Sequence, residues 1–178
     1  MGFHYIIRVP GFITPTPPAP HSFMPVVDLA LLNARIKGEE RLLGLDLGAK
    51  TIGLALSDAR RKIASPLETL RRARLAADLA RLQEIVARHG VGGFVVGLPV
   101  GLDGREGPRC QATRQFAADL LKARDLPLAF ADERLSSAAV ERFLIGEADM
   151  SRARRRQVVD KMAAAYILQG ALDRLQSS

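Results

Sequence analysis

With 178 residues, 48% of them hydrophobic, the chain is long enough for one well-buried core and too short for two ordinary enzyme domains. Lys and Arg number 26 against 19 Asp and Glu, a formal charge of +7 that favours a polyanionic partner, nucleic acid first among them. The single cysteine excludes an intrachain disulfide, the three scattered histidines have no metal-ligand spacing, and no apolar run approaches the ~18 residues of a membrane span.

At the N-terminus the apolar run is broken by Arg8 and Pro10 and no basic leader precedes it, so no signal peptide is expected. Pro15, Pro17, Pro18 and Pro20 forbid a regular helix or a central strand. Residues 1–38 are therefore expected to form a Pro-rich, flexible extension, with a short helix through Val27 to Ile36, and residues 39–178 the folded domain. Leu42 to Leu47 is a buried strand by its nearly continuous apolar run, and Gly48 permits the turn into a second strand, Thr51 to Leu56. Strands joined so tightly are antiparallel neighbours. A third, weaker strand covers Ile63 to Leu70, with Pro66 marking an edge or a bulge. Leu75, Leu79, Leu82 and Val86 recur at helical spacing, with Arg74, Asp78, Arg81 and Glu84 on the opposite side, and Gly90 stops the helix. Gly93 to Pro99 reads as a buried strand. The loop Gly101 to Pro108 leads to a helix carrying Phe116, Leu120 and Leu121, and Leu128 to Ala131 is a further strand. Ser136 is a plausible N-cap for a helix over Ala138 to Leu144, and after the basic stretch Ser151 to Arg156 a last helix spans Gln157 to Leu175. A hairpin followed by two right-handed crossovers makes an α/β fold: a mixed five-stranded sheet with helices on both faces.

Charge interrupts this apolar pattern at three places. Asp46 stands inside the first strand, where an unpaired carboxylate is costly, so it needs a cation, a metal ion or the N–H groups of the following turn. Asp132 and Glu133 end a buried strand, where open α/β sheets place their sites, and adjacent strand residues point to opposite faces, so one of the two joins Asp46. Asp160 shares one helical face with Ala164 and Leu168, on the packing side near the expected helix start, where the macrodipole favours an anion. Each also has a plainer reading: a turn acceptor, solvated loop charges, or a partner of the helix dipole alone. Three converging carboxylates repel unless divalent cations separate them, and an all-oxygen set suits Mg²⁺ or Mn²⁺ better than zinc. Two such ions about 4 Å apart can activate a water and stabilise the leaving oxygen of a phosphodiester. Arg152, Arg154, Arg155 and Arg156 precede Asp160, and Lys50 follows Asp46, as candidate phosphate contacts, with Arg134 a further one beside the acidic pair. Cys110 has no activating neighbour in sequence and reads as a packing residue.

Leu43 to Asp58, Val95 to Pro99 with Leu102-Asp103-Gly104, Asp132 to Ser137, and Asp160 to Leu172 together resemble the YqgF or RuvX family of pre-16S rRNA nucleases, relatives of RuvC-type Holliday junction resolvases. The resemblance runs from about residue 40 to the end and implies a ribonuclease H-like fold. It further implies a metal-dependent nuclease that processes the 5′ end of the 16S rRNA precursor in the cytoplasm. On the family's acidic positions fall Asp46, the Asp132 to Leu135 motif and Asp160. Glu133 is the preferred middle ligand and Asp132 the alternative. The metal set implied is thus Asp46, Glu133 and Asp160. The Pro-rich extension departs from the family pattern. Three rivals stand beside this reading. A resolvase of four-way DNA junctions would act as a dimer, whereas the sequence leaves monomer and homodimer open. A non-catalytic nucleic-acid-binding protein would not require acids at all three positions. An ATP-binding domain of the actin and sugar-kinase type shares the Asp-x-Gly turn but requires two domains, and this chain supplies one.

Overall fold

The computed structural model describes residues 26–101, 103–132 and 152–177. Its centre is β1 (Arg41–Leu47), whose alternating side chains explain the two-sided core. Leu43, Leu45 and Leu47 enter one hydrophobic cluster, while Leu42 enters the other. β2 (Thr51–Ser57) pairs antiparallel with β1, setting Asp46 opposite Gly53 and Leu45 opposite Leu54. β3 (Ala64–Arg71) continues the meander as an edge strand, and Pro66 sits beside a register irregularity, as its missing N–H requires. β4 (Val91–Leu98) and β5 (Leu128–Asp132) join parallel on the other side, giving the order β3-β2-β1-β4-β5. This mixed sheet with an antiparallel meander and two parallel crossover strands is the one expected from the pattern, and it is the ribonuclease H-like arrangement that the resemblance implies.

On the first face lie α2 (Leu75–His89) and α3 (Pro108–Ala123), which contribute Leu82, Ile85, Val86, Phe116 and Leu120. Gly90 ends α2 in the left-handed conformation, φ 62°, which costs a glycine little. Asp78, assigned by spacing to the solvated side of this helix, is instead 5% exposed. It sits in the first turn, where its Oδ1 accepts the Ala73 N–H at 2.9 Å and Arg72 lies 3.9 Å from Oδ2. Satisfying N–H groups at a helix start outweighed the amphipathic pattern.

The second face is covered by α1 (Leu29–Arg35) and α4 (Arg152–Gln176). Asp28 caps α1 by accepting the Leu31 N–H at 2.7 Å, and Leu32 is fully buried. The Val27 N–H also donates to the Leu128 carbonyl at 2.8 Å. The domain boundary expected at residue 38 therefore falls inside packed structure, because Leu32 and Ile36 complete the core beside β5. The Pro-rich segment and the expected helix over Ala138 to Leu144 lie outside the described residues. α4 starts at Arg152, so the basic stretch expected as a loop or helix start belongs to the helix itself, and the helix start expected near Gln157 moves back by more than a turn. Asp160 consequently lies over two turns from the N-terminus. The dipole effect fades within the first turn, so it no longer accounts for an acid there.

Candidate functional site

α4 lies unusually close to the strands beneath it, and two glycines are the cause. A Cβ on Gly44 would stand 2.8 Å from Leu168 Cβ and 3.1 Å from the Ala164 carbonyl oxygen. At Gly53 a Cβ would collide with the backbone carbonyl of Asp160 itself. Ala55 of β2 and Ala164, Ala165 and Ala171 of α4 complete this small-residue contact.

The consequence is positional. Gly53 is the direct cross-strand partner of Asp46, and such partners share a face with their Cβ positions about 4.5–5.5 Å apart. Asp46 therefore leaves β1 on the α4 face beside Asp160, and both are half-buried. Asp160 Oδ2 is buried and has no hydrogen-bond partner among the described residues. An orphaned carboxylate oxygen is expensive, and a cation is the natural partner for it.

The remaining expected site residues divide into those the fold places and those outside the described residues. Asp132 closes β5 opposite Leu98 of β4. Along β5, Leu128 and Phe130 pack in the first cluster, and Ala129 and Ala131 in the second. Asp132 ends the strand at the sheet edge, where it borders a small cleft together with Tyr166 and Arg174 of α4. Lys50 is exposed in the β1–β2 turn, its carbonyl accepting the Arg72 N–H at 2.9 Å. Arg152, Arg154, Arg155 and Arg156 occupy the opening turns of α4, leading to Asp160. Glu133 and Arg134 lie outside the described residues. Among the described residues no group of three acidic, histidine or cysteine side chains could hold a metal ion. Cys110 is fully buried, its thiol donating to the Pro99 carbonyl at 3.1 Å, a packing role as expected.

Sequence reasoning missed Gly53. A glycine inside a strand signals a bulge or a close backbone approach, and its position opposite Asp46 was the available clue.

A ribonuclease H-like α/β domain that brings two acids of distant sequence to the C-terminal end of its central strand defines a class of phosphate chemistry. Within it, the chain belongs to the RuvX family, whose model, described as Holliday junction resolvase, matches residues 40–174. A relative from Paramagnetospirillum magneticum is 59% identical over 150 residues, covering 84% of this chain and 96% of its own, and bears the name "Putative pre-16S rRNA nuclease". One of the same name from Phenylobacterium zucineum is 56% identical over 155 residues, covering 86% and 99%. Among solved structures, T. thermophilus RuvC in complex with Holliday junction substrate aligns with a TM-score of 0.47 at 16% identity, covering 76% of this chain and 96% of that one. The family match sets aside the ATP-binding rival. No helix among the described residues is long and apolar enough to cross a membrane.

Proposed function

We propose that the chain is a divalent-metal-dependent nuclease that hydrolyses phosphodiester bonds of the 16S rRNA precursor near its 5′ end. The observation that carries this reading is the buried, unpartnered Oδ2 of Asp160 on the face that Asp46 shares. Two carboxylates and no histidine or thiolate form an oxygen-only donor set, which fits Mg²⁺ or Mn²⁺. Bound there, the ion supplies Lewis-acid stabilisation of phosphate charge and a water acidified for attack.

The chain's own residues do the positioning. β1 is the central strand, paired with β2 at Asp46 itself and with β4 as far as Leu45, so the Asp46 carboxylate keeps one place. Gly53 lets α4 press down, which brings Asp160 to that place. Glu133 is taken as the third ligand, as the family resemblance implies, with Asp132 at the end of β5 as the alternative. Lys50 in the turn and Arg152, Arg154, Arg155 and Arg156 at the start of α4 flank the acids, and Arg134 adjoins Glu133; their charges hold the polyanion backbone against the carboxylates' repulsion. A role on precursor rRNA carries with it a cytoplasmic location.

The test offers purified protein, with Mn²⁺, a precursor rRNA fragment and a four-way DNA junction side by side. Cleavage of the RNA that is lost in Asp46→Asn is expected. Cutting of the junction alone would move the substrate to branched DNA, and cleavage that survives in Asp46→Asn would end the metal-site reading.

A further inference from the structure

On the opposite face of the sheet from Asp46 and Asp160 a cleft of about 320 Å³ opens between the β1–β2 turn and the start of α3. Its walls include the apolar Leu47, Pro108 and Ala112, with Arg72, Arg109 and Thr113 supplying the polar groups. None of these belongs to the acidic site, and three features give the cleft a definite chemistry.

The first is charge. Arg72 is already committed: its Nη1 donates to the Gly48 carbonyl at 3.1 Å, Asp78 lies 3.9 Å from its Nε, and its guanidinium stands 5.8 Å from the Phe116 ring centroid. That fixes a flat guanidinium at the wall, with its charge largely answered by Asp78. Arg109 is exposed and makes no ion pair or hydrogen bond through its side chain among the described residues, so its charge is available to an anion. α3 also begins at Pro108 without a side-chain cap, leaving its positive end uncompensated. The second is Thr113, 3% exposed, whose hydroxyl makes no hydrogen bond among the described residues although the residue lines the cleft. The residue is buried but its hydroxyl oxygen is reached by solvent in the cleft, so it is open to a ligand. The third is the apolar lining, which suits a flat ring and does nothing for a phosphate alone.

We propose that this cleft seats one unpaired nucleotide of the RNA, its base against Leu47, Pro108 and Ala112 beside the Arg72 guanidinium, its phosphate on Arg109, and a polar base or sugar atom on the Thr113 hydroxyl. A base within a duplex is stacked and cannot enter, so the cleft selects a single strand. Its place relative to the acids follows from β1. Leu47 lines the cleft and Asp46 precedes it on the other face, so only the exposed turn through Lys50 separates the two sites. A strand held at Asp46 crosses Lys50 and delivers a neighbouring nucleotide into the cleft. This deepens the proposed nuclease reading and rests on it for the RNA, while binding can be measured without cleavage.

The experiment measures fluorescence anisotropy, in EDTA, of an RNA hairpin with and without a single-stranded uridine tail. Wild type is compared with Ala112→Leu, which fills the cleft from an exposed helical position, and with Arg109→Ala, which removes an unpartnered surface charge; thermal melts verify folding. Both variants are expected to bind the tailed hairpin about tenfold more weakly and the blunt hairpin within about twofold of wild type. Equal losses on both probes, or none on either, overturn the proposal. Wild-type cleavage with Mn²⁺ is run in parallel: no cleavage together with tail-specific loss refutes the nuclease reading and leaves the cleft standing, whereas cleavage without tail-specific loss refutes the cleft alone.

Discussion

Gly53→Ala is the sharpest test of how the two acids meet. The added methyl would occupy the space of the Asp160 carbonyl, and the obstacle is helix backbone, which no side-chain rotation can clear. Either α4 lifts from the hairpin by about an ångström or more, or β2 is pushed the other way, driving its own Ile52 and Leu54 into the first core. Overpacking of this kind costs about 1–3 kcal/mol. For a chain of this length each kcal/mol lowers Tm by about 2–4 °C, so a fall of about 2–12 °C is expected. Activity falls further than stability does, because a displacement of about 1 Å at the reacting groups costs on the order of 100-fold. The control is Gly170→Ala in the same helix, where the new methyl meets nothing within 4 Å. Helix propensity predicts that it stabilises by about 0.8–1 kcal/mol and leaves cleavage intact. The assay pairs thermal unfolding with initial rates on the precursor RNA fragment at saturating Mn²⁺. A Gly53→Ala protein with wild-type Tm and wild-type rate would refute the claim that α4 is seated on this glycine.

Four further outcomes follow from the same geometry. In EDTA, Asp160→Asn is expected to be at least as stable as wild type, since it removes a buried charge with no partner; with Mn²⁺ at about 100 times its Kd, wild type gains about 2.7 kcal/mol and the variant gains little, and equal metal-induced Tm shifts in both would contradict the metal assignment. Lys50→Ala is expected to weaken RNA binding and to reduce the slope of log K against log salt concentration by about 1, and an unchanged slope in a salt titration would remove Lys50 from the phosphate path. Leu32→Ala should cost about 2–5 kcal/mol in chemical denaturation, whereas a loss under about 0.5 kcal/mol would show that α1 is dispensable to the core. The Ile63 and Lys62 N–H groups hold the Asp58 carboxyl below its usual value near 3.8, so its contribution is present above that value and fades as pH falls through the lower folded one. Asp58→Asn is therefore expected to destabilise at neutral pH, with the gap closing in acid, and a gap that persists at low pH would refute the assignment.

The fold was legible because its strands are either continuously apolar or punctuated by residues with one meaning. Leu42 to Leu47 can only be a buried strand, Gly48 forces a near return, and Pro66 confines its strand to an edge. The errors fall where a local signal competes with a distant partner. Asp78 reads as solvated by periodicity, yet its value to the Ala73 N–H and to Arg72 draws it inside. Leu29 to Ile36 reads as part of a tail because Pro residues precede it, yet its burial is decided by space left beside β5 and α4, which no local pattern encodes. The start of α4 was misjudged for a related reason: a run of arginines carries no hydrophobic period, so a helix that begins within it leaves no periodic trace.

The acids themselves were legible as interruptions and were expected to converge, but the device that seats Asp160 was not, and the difference lies in what a sequence records. A carboxylate inside an apolar strand is visible because something costly is present. The approach of Asp160 depends on something missing, the side chain at position 53, and an absent Cβ looks the same in a sequence whether it serves a turn, a bulge or a helix resting on the strand. Pairing resolves the ambiguity. Once β1 and β2 are set in antiparallel register, the glycine opposite Asp46 is where the backbone of α4 comes down on that face, and the residue that arrives there is Asp160. Its buried oxygen without a hydrogen-bond partner among the described residues is the observation on which the proposed metal site rests.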